Sequence, residues 1–122
     1  MRLAVMQPYI FPYLGYFQLL SAVDRFVFFD DVNFIKKGWI HRNQLLVSGQ
    51  KNLFSIPLQR ASQNKLIKDT YLHPSDYGRW RDTFLKTVNQ NYRQAPFFPA
   101  VYDLLHRVLE GAHDTIADLA ID

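Results

Sequence analysis

Two carboxylates stand side by side at Asp30 and Asp31, directly behind the apolar run Phe26-Val27-Phe28-Phe29. Adjacent acids at the end of a strand suit general-base work, or a Mg²⁺ ion. Side chains alternate on an extended segment, so one of the pair is expected to face a site and the other to turn away. A turn that caps the next segment is the plainer use of the same residues. Asn33 then opens a segment that runs to Asn43 and holds Lys36, Lys37, Trp39, His41 and Arg42. Cations with a large ring beside them recognise phosphate together with a planar base or a sugar. The same mixture stacks single-stranded nucleic acid. A basic exposed strand with Trp39 turned inward is the bland alternative.

A third group precedes these two. Gln7, Tyr9, Tyr13, Gly15 and Tyr16 lie around Pro8 and Pro12. Glutamine brings two donors and an acceptor, and tyrosine a hydroxyl on a rigid ring. The prolines fix the loop, so little entropy is lost when a ligand binds. Gly15 falls at the start of a helix, where free backbone N–H groups favour an anion. For Gln7, Tyr9 and Tyr16, a ligand role and a plug between helix and sheet are equally good readings. Gln63, Asn64 and Lys65 add donors from a later polar loop.

These groups need elements to hold them. Arg2 to Met6 is a short apolar run cut by Gln7-Pro8, which reads as a buried first strand. A helix is expected from just after Pro12 to Val23, with Leu14, Phe17 and Leu20 at helical spacing. Phe26 to Phe29 is the second strand. Strand, helix, strand predicts a parallel βαβ unit, with ligands at the carboxyl ends of the strands. Both polar loops, Gln7-Pro8-Tyr9 and Asp30 to Asn33, start at such ends. A β-hairpin is expected from Asn43 to Leu58 around Ser48-Gly49, and another strand from Leu66 to Leu72. Helices are expected from Ser75 or Asp76 as cap, from Val101 to Leu109 before Gly111, and again from Thr115 to Ile121. The fold class is therefore α/β: a small Rossmann-like βαβ start, a hairpin and C-terminal helices.

Composition excludes several classes. The chain has 122 residues, no Cys and a net charge of +3. There is no disulfide framework, thiolate metal site or cysteine nucleophile. His73, His106 and His113 have no second histidine or cysteine at i+3 or i+4, so no zinc site is assigned. No apolar run reaches the length of a membrane span, and the N-terminus lacks a signal peptide's cleavage site. The cytoplasm is the expected compartment. Residues 1–122 read as one domain. The chain ends inside the Thr115 to Ile121 helical pattern, as the N-terminal part of a longer protein would.

The run Met6 to Leu19, MQPYIFPYLGYFQL, resembles the opening signature of the WbqC-like protein family. Asp30 to Ile40, with Arg42 and Asn43, is similar to its second block, and Ala61 to Ile67 to its third. Family members are usually longer, and the likeness falls on their N-terminal half. It implies a transferase of bacterial surface polysaccharide (O-antigen, lipopolysaccharide) synthesis. Such an enzyme moves an aminoacyl group, glycyl in particular, or another acyl group onto a nucleotide-linked amino sugar. No cofactor is implied, and Mg²⁺ stays open. The expected partner is a small-molecule substrate and not DNA, with tRNA and a second copy of the chain also open. The alternatives are a non-enzymatic module binding RNA or an aminoacyl donor, and an inactive fragment.

Overall fold

The computed structural model describes residues 1–121. Strand β1 (Leu3–Met6) is followed by helix α1 (Leu14–Ala22) and strand β2 (Arg25–Phe28). The strands pair in parallel, with Leu3 opposite Arg25 and Met6 opposite Phe28. The βαβ start is thus present, with the helix one residue inside each expected end. Period-two alternation decides its faces. Ala4 and Met6 of β1, with Phe26 and Phe28 of β2, turn to the side more shielded from solvent, and the Tyr16 ring lies 5.4 Å from Phe26. Leu3, Val5 and Val27 alternate with these and stay exposed, as does Phe29 just beyond β2.

Strands β3 (Arg42–Val47) and β4 (Gln50–Ser55) form the hairpin, antiparallel over all six pairs. Its turn is the expected Ser48-Gly49, and both residues have positive φ, 53° and 80°. That pair of conformations matches the right-handed twist of the strands, and glycine adopts it without strain. Strand β5 (Leu58–Gln59) pairs with β6 (Tyr71–Leu72).

The stretch Leu66 to Leu72 differs from the strand expected there. A 3₁₀ turn occupies Ile67–Asp69, and the regular strand is confined to Tyr71–Leu72. Thr70 explains the difference: its hydroxyl donates to the Leu66 carbonyl at 3.0 Å and its N–H to the Ile67 carbonyl at 3.1 Å. Such local bonds offer the backbone an alternative to a ladder. Helix α2 (Asp76–Tyr92) starts directly after Ser75, one of the two caps expected, but the serine hydroxyl does not cap it. The Asp76 N–H donates instead to His73 Nδ1 at 3.1 Å. Helices α3 (Phe98–Glu110) and α4 (Ile116–Ile121) complete the chain.

The core draws heavily on irregular segments. Ile10, Phe34, Ile40 and Ile67 are buried together with Ile56, Phe84, Leu85, Leu109, Ile116 and Leu119. The first three lie in the polar loops themselves. Each loop therefore alternates an apolar anchor with exposed polar side chains, and burial holds the loops in place.

Candidate functional site

The backbone joins the three polar segments. The Ile10 N–H donates to the Ile40 carbonyl at 3.1 Å, fastening the tyrosine loop to the lysine-tryptophan segment. The Phe34 N–H donates to the Lys65 carbonyl at 2.8 Å, and Asn33 bridges to Leu66. The Ile67 and Lys68 N–H groups donate to the carbonyls of Val32 and Asp30 at 2.8 and 2.9 Å. Gln63-Asn64-Lys65 is thereby placed beside Asp30 to Phe34.

Within the tyrosine loop, Tyr16 is buried, and its hydroxyl donates to the Gln7 carbonyl at 2.8 Å. Tyr9 donates to the Gln7 side-chain oxygen at 3.2 Å, and the Tyr9 and Tyr16 rings lie 5.7 Å apart. Burial, and then Tyr9 nearby, push the Tyr16 phenol up to about 12. Phe11 has a positive φ of 48°, a strained conformation for a large side chain. Two contacts hold it: its carbonyl accepts from Asn43 Nδ2 at 2.7 Å, and its ring stacks on Phe84 at 5.7 Å. Gly15 lies under the Tyr13 ring, where a Cβ would come within 2.6 Å of Cε2. The absent side chain lets that ring fold over the start of α1.

In the lysine-tryptophan segment, Lys36 and Lys37 are exposed and Trp39 is 47% exposed. Trp39 is therefore not the inward ring of the bland reading. The Arg42 guanidinium lies 5.5 Å from the Trp39 ring centroid. It also donates to the Gly38 carbonyl at 2.9 Å and to the Lys37 carbonyl. Arg42 thus spends donors on the backbone and sets the shape of the loop that displays Lys36, Lys37 and Trp39, while Asn43 spends its donor on the tyrosine loop. Asp30 is half-buried, while Asp31, Asn33, Gln63 and Asn64 are exposed. The two aspartates differ in shielding, but they lie beyond the end of β2, where the Asp30 N–H turns back to the Phe28 carbonyl at 3.1 Å, and not on an extended strand.

Two features escaped sequence reasoning. His41 Nδ1 is buried without a hydrogen-bond partner among the described residues, and the ring sits 5.1 Å from Phe34. Burial, and then Arg42, lower its pKa below the ordinary 6.5. The residue stood within the basic cluster, but nothing in its spacing marked it as buried. The second feature is an apolar groove of about 520 Å³ between the tyrosine loop, the hairpin, α2 and α3. Tyr13 and Asn43 line it, together with Phe54, Val88, Tyr102 and Leu105. Its lining comes largely from the two helices expected after Ser75 and from Val101 to Leu109.

Among the described residues no helix is long and apolar enough to cross a membrane. No solved structure matches the chain. It is 27% identical over 118 residues to the uncharacterized protein Rv1507c of Mycobacterium tuberculosis, a match covering 95% of this chain and 50% of that protein. The chain thus spans about half the length of the curated relative it matches. The WbqC-like protein family matches residues 7–122, which takes in all three hydrogen-bonded segments, and the chain belongs to that family.

Proposed function

We propose that this chain binds a nucleotide-linked amino sugar and takes part in transferring an aminoacyl or other acyl group to its amine, a step of bacterial surface polysaccharide synthesis. One observation carries the reading: the lysine-tryptophan loop presents two exposed cations and a half-exposed indole, on a backbone clamped by Arg42 and Ile10. Lys36 and Lys37 hold the phosphates, and Trp39 stacks on the base. Clamping the loop beforehand lowers the ordering cost of binding.

In the transfer, the sugar nitrogen attacks the acyl carbonyl. The new C–N bond forms, the bond from the acyl carbon to the donor breaks, and the proton released from nitrogen passes to the carboxylate of Asp30 or Asp31. Calorimetry with a panel of nucleotide sugars tests the binding step. We expect binding by at least one amino sugar nucleotide, weakened about tenfold or more in a Lys36→Glu, Lys37→Glu double variant. Silence across the panel would refute the proposal.

The half-exposed Trp39 beside Arg42 also suits a single-stranded RNA or the end of an aminoacyl-tRNA. RNA binding that falls steeply with added salt, without sugar-nucleotide binding, would favour that second reading.

A further inference from the structure

The two edges of the β3–β4 hairpin differ in what meets them. In an antiparallel pair, alternate residues turn their N–H and C=O groups towards the neighbouring strand or away from it. The Ile56 N–H donates to the His41 carbonyl at 2.8 Å, so that pair and every second pair after it bond inward. Arg42 opposite Ser55, Gln44 opposite Leu53 and Leu46 opposite Lys51 therefore turn their backbone groups outward. On β3 these groups are occupied. The Leu46 N–H donates to the Tyr92 hydroxyl at 2.7 Å, and the Gln44 N–H to Asn43 Oδ1 at 2.7 Å. In the turn, the Ser48 N–H donates to Asn91 Oδ1 at 2.9 Å. On β4, Lys51, Leu53 and Ser55 are exposed, and among the described residues their backbone groups have no hydrogen-bond partner. A strand edge with free donors and acceptors is a template for another strand.

We infer that β4 pairs antiparallel with β4 of a second copy of this chain, joining the two hairpins into one continuous sheet. One register uses every outward group. Leu53 stands opposite the partner's Leu53, and Lys51 opposite the partner's Ser55, each pair exchanging two backbone bonds. Moving the two-fold centre one residue either way sets one of these residues against Gly49 in the turn, or against Pro57, which has no N–H to give. Charge agrees with this register, because the lysines are held apart and each faces a serine. The apolar surface agrees too. Leu46 and Leu53 are diagonal neighbours on one face of the hairpin, each 50% exposed. Leu45 and Phe54 take the other face, where Phe54 lies 4.8 Å from Phe84 of α2. Pairing carries the leucines across the join as a single stripe. An unrelated strand would meet the same free groups without that match. The two-fold arrangement closes on itself, and the β3 edges, already bonded to α2, stop the sheet from growing. So small a contact makes a weak, concentration-dependent dimer. It is independent of the proposed sugar-nucleotide binding.

Sedimentation velocity of the whole chain over a concentration series tests it, together with amide hydrogen exchange read residue by residue. A monomer–dimer equilibrium is expected, with the Lys51, Leu53 and Ser55 amides protected as concentration rises. Ser55→Lys sets lysine against lysine at both ends of the paired strands and should weaken the dimer about tenfold. Adding Lys51→Glu to that variant should restore it, since opposite charges then face each other. Both positions are exposed, so the fold survives the changes. Val27→Glu, on the βαβ face and 45% exposed, should leave the dimer constant unchanged. A chain that stays monomeric at every concentration would overturn the inference. So would open-ended polymers, a dimer that Ser55→Lys leaves intact or Val27→Glu breaks, or failure of Lys51→Glu to restore it.

Discussion

Tyr16 is only 3% exposed and yet carries a hydroxyl, and that hydroxyl is satisfied by the carbonyl of Gln7. Tyr16→Phe should cost about 1 kcal/mol, read from the urea midpoint, because it leaves that carbonyl without its donor. Asn43→Ala should cost about 1–2 kcal/mol, since it frees the Phe11 carbonyl and the strained turn it restrains. Two opposite pH trends arise from buried groups. His41 has a lowered pKa, so below about 6.5 the unfolded chain binds a proton that the folded chain refuses. Stability should fall as pH drops from 7 towards 5, and His41→Leu should flatten that part of the profile. Tyr16 and Tyr77 are both pushed up to about 12, Tyr77 by burial that outweighs the nearby Arg81. Their unfolded phenols ionise from about 10, so stability present below that value should drain away between pH 10 and 12. At this scale the sequence left the roles open. Arg42 and Asn43 are the example: a donor's type is legible in a sequence, but whether its acceptor is a ligand or a distant carbonyl is not.

Elements defined by short-range signals were the legible ones. The hairpin comes from alternation around Ser48-Gly49, and the βαβ start from two apolar runs with a helical stripe between them. Gly49→Ala should cost about 1 kcal/mol in thermal or urea unfolding, because φ at this position is 80°. The 3₁₀ turn at Ile67–Asp69 was hidden, since its apolar content reads equally as strand, and Thr70 decides the matter through two local bonds. The cap residue Ser75 was legible, but the acceptor was hidden: only the backbone path brings the His73 imidazole to the Asp76 N–H. The groove was invisible because a helix stripe shows which side is apolar and not what, if anything, fills the space beside it.

At the scale of the molecule, the parallel pair β1–β2 is incompletely covered. Parallel strands are normally buried on both faces, and yet Leu3, Val5, Val27 and Phe29 are all exposed. Helix α1 is similar: Leu14, Phe17 and Leu20 are exposed although the helix carries almost no polar face. An exposed apolar area of this kind marks a surface made for contact. The match to the mycobacterial relative leaves half of that protein's length outside the aligned region, a length comparable to this whole chain. If the βαβ face is open in this chain, two consequences are measurable together. An apolar fluorescent dye such as ANS should bind at neutral pH, and a Val5→Lys, Val27→Glu double variant should reduce that signal severalfold. The same variant should leave the unfolding free energy within about 0.5 kcal/mol, because both side chains already face solvent. Val101→Glu supplies the control, since it removes dye held in the groove and leaves dye on the sheet. Destabilisation of the Val5, Val27 variant by several kcal/mol, with no dye bound before the change, would mean that something in this chain already covers the sheet.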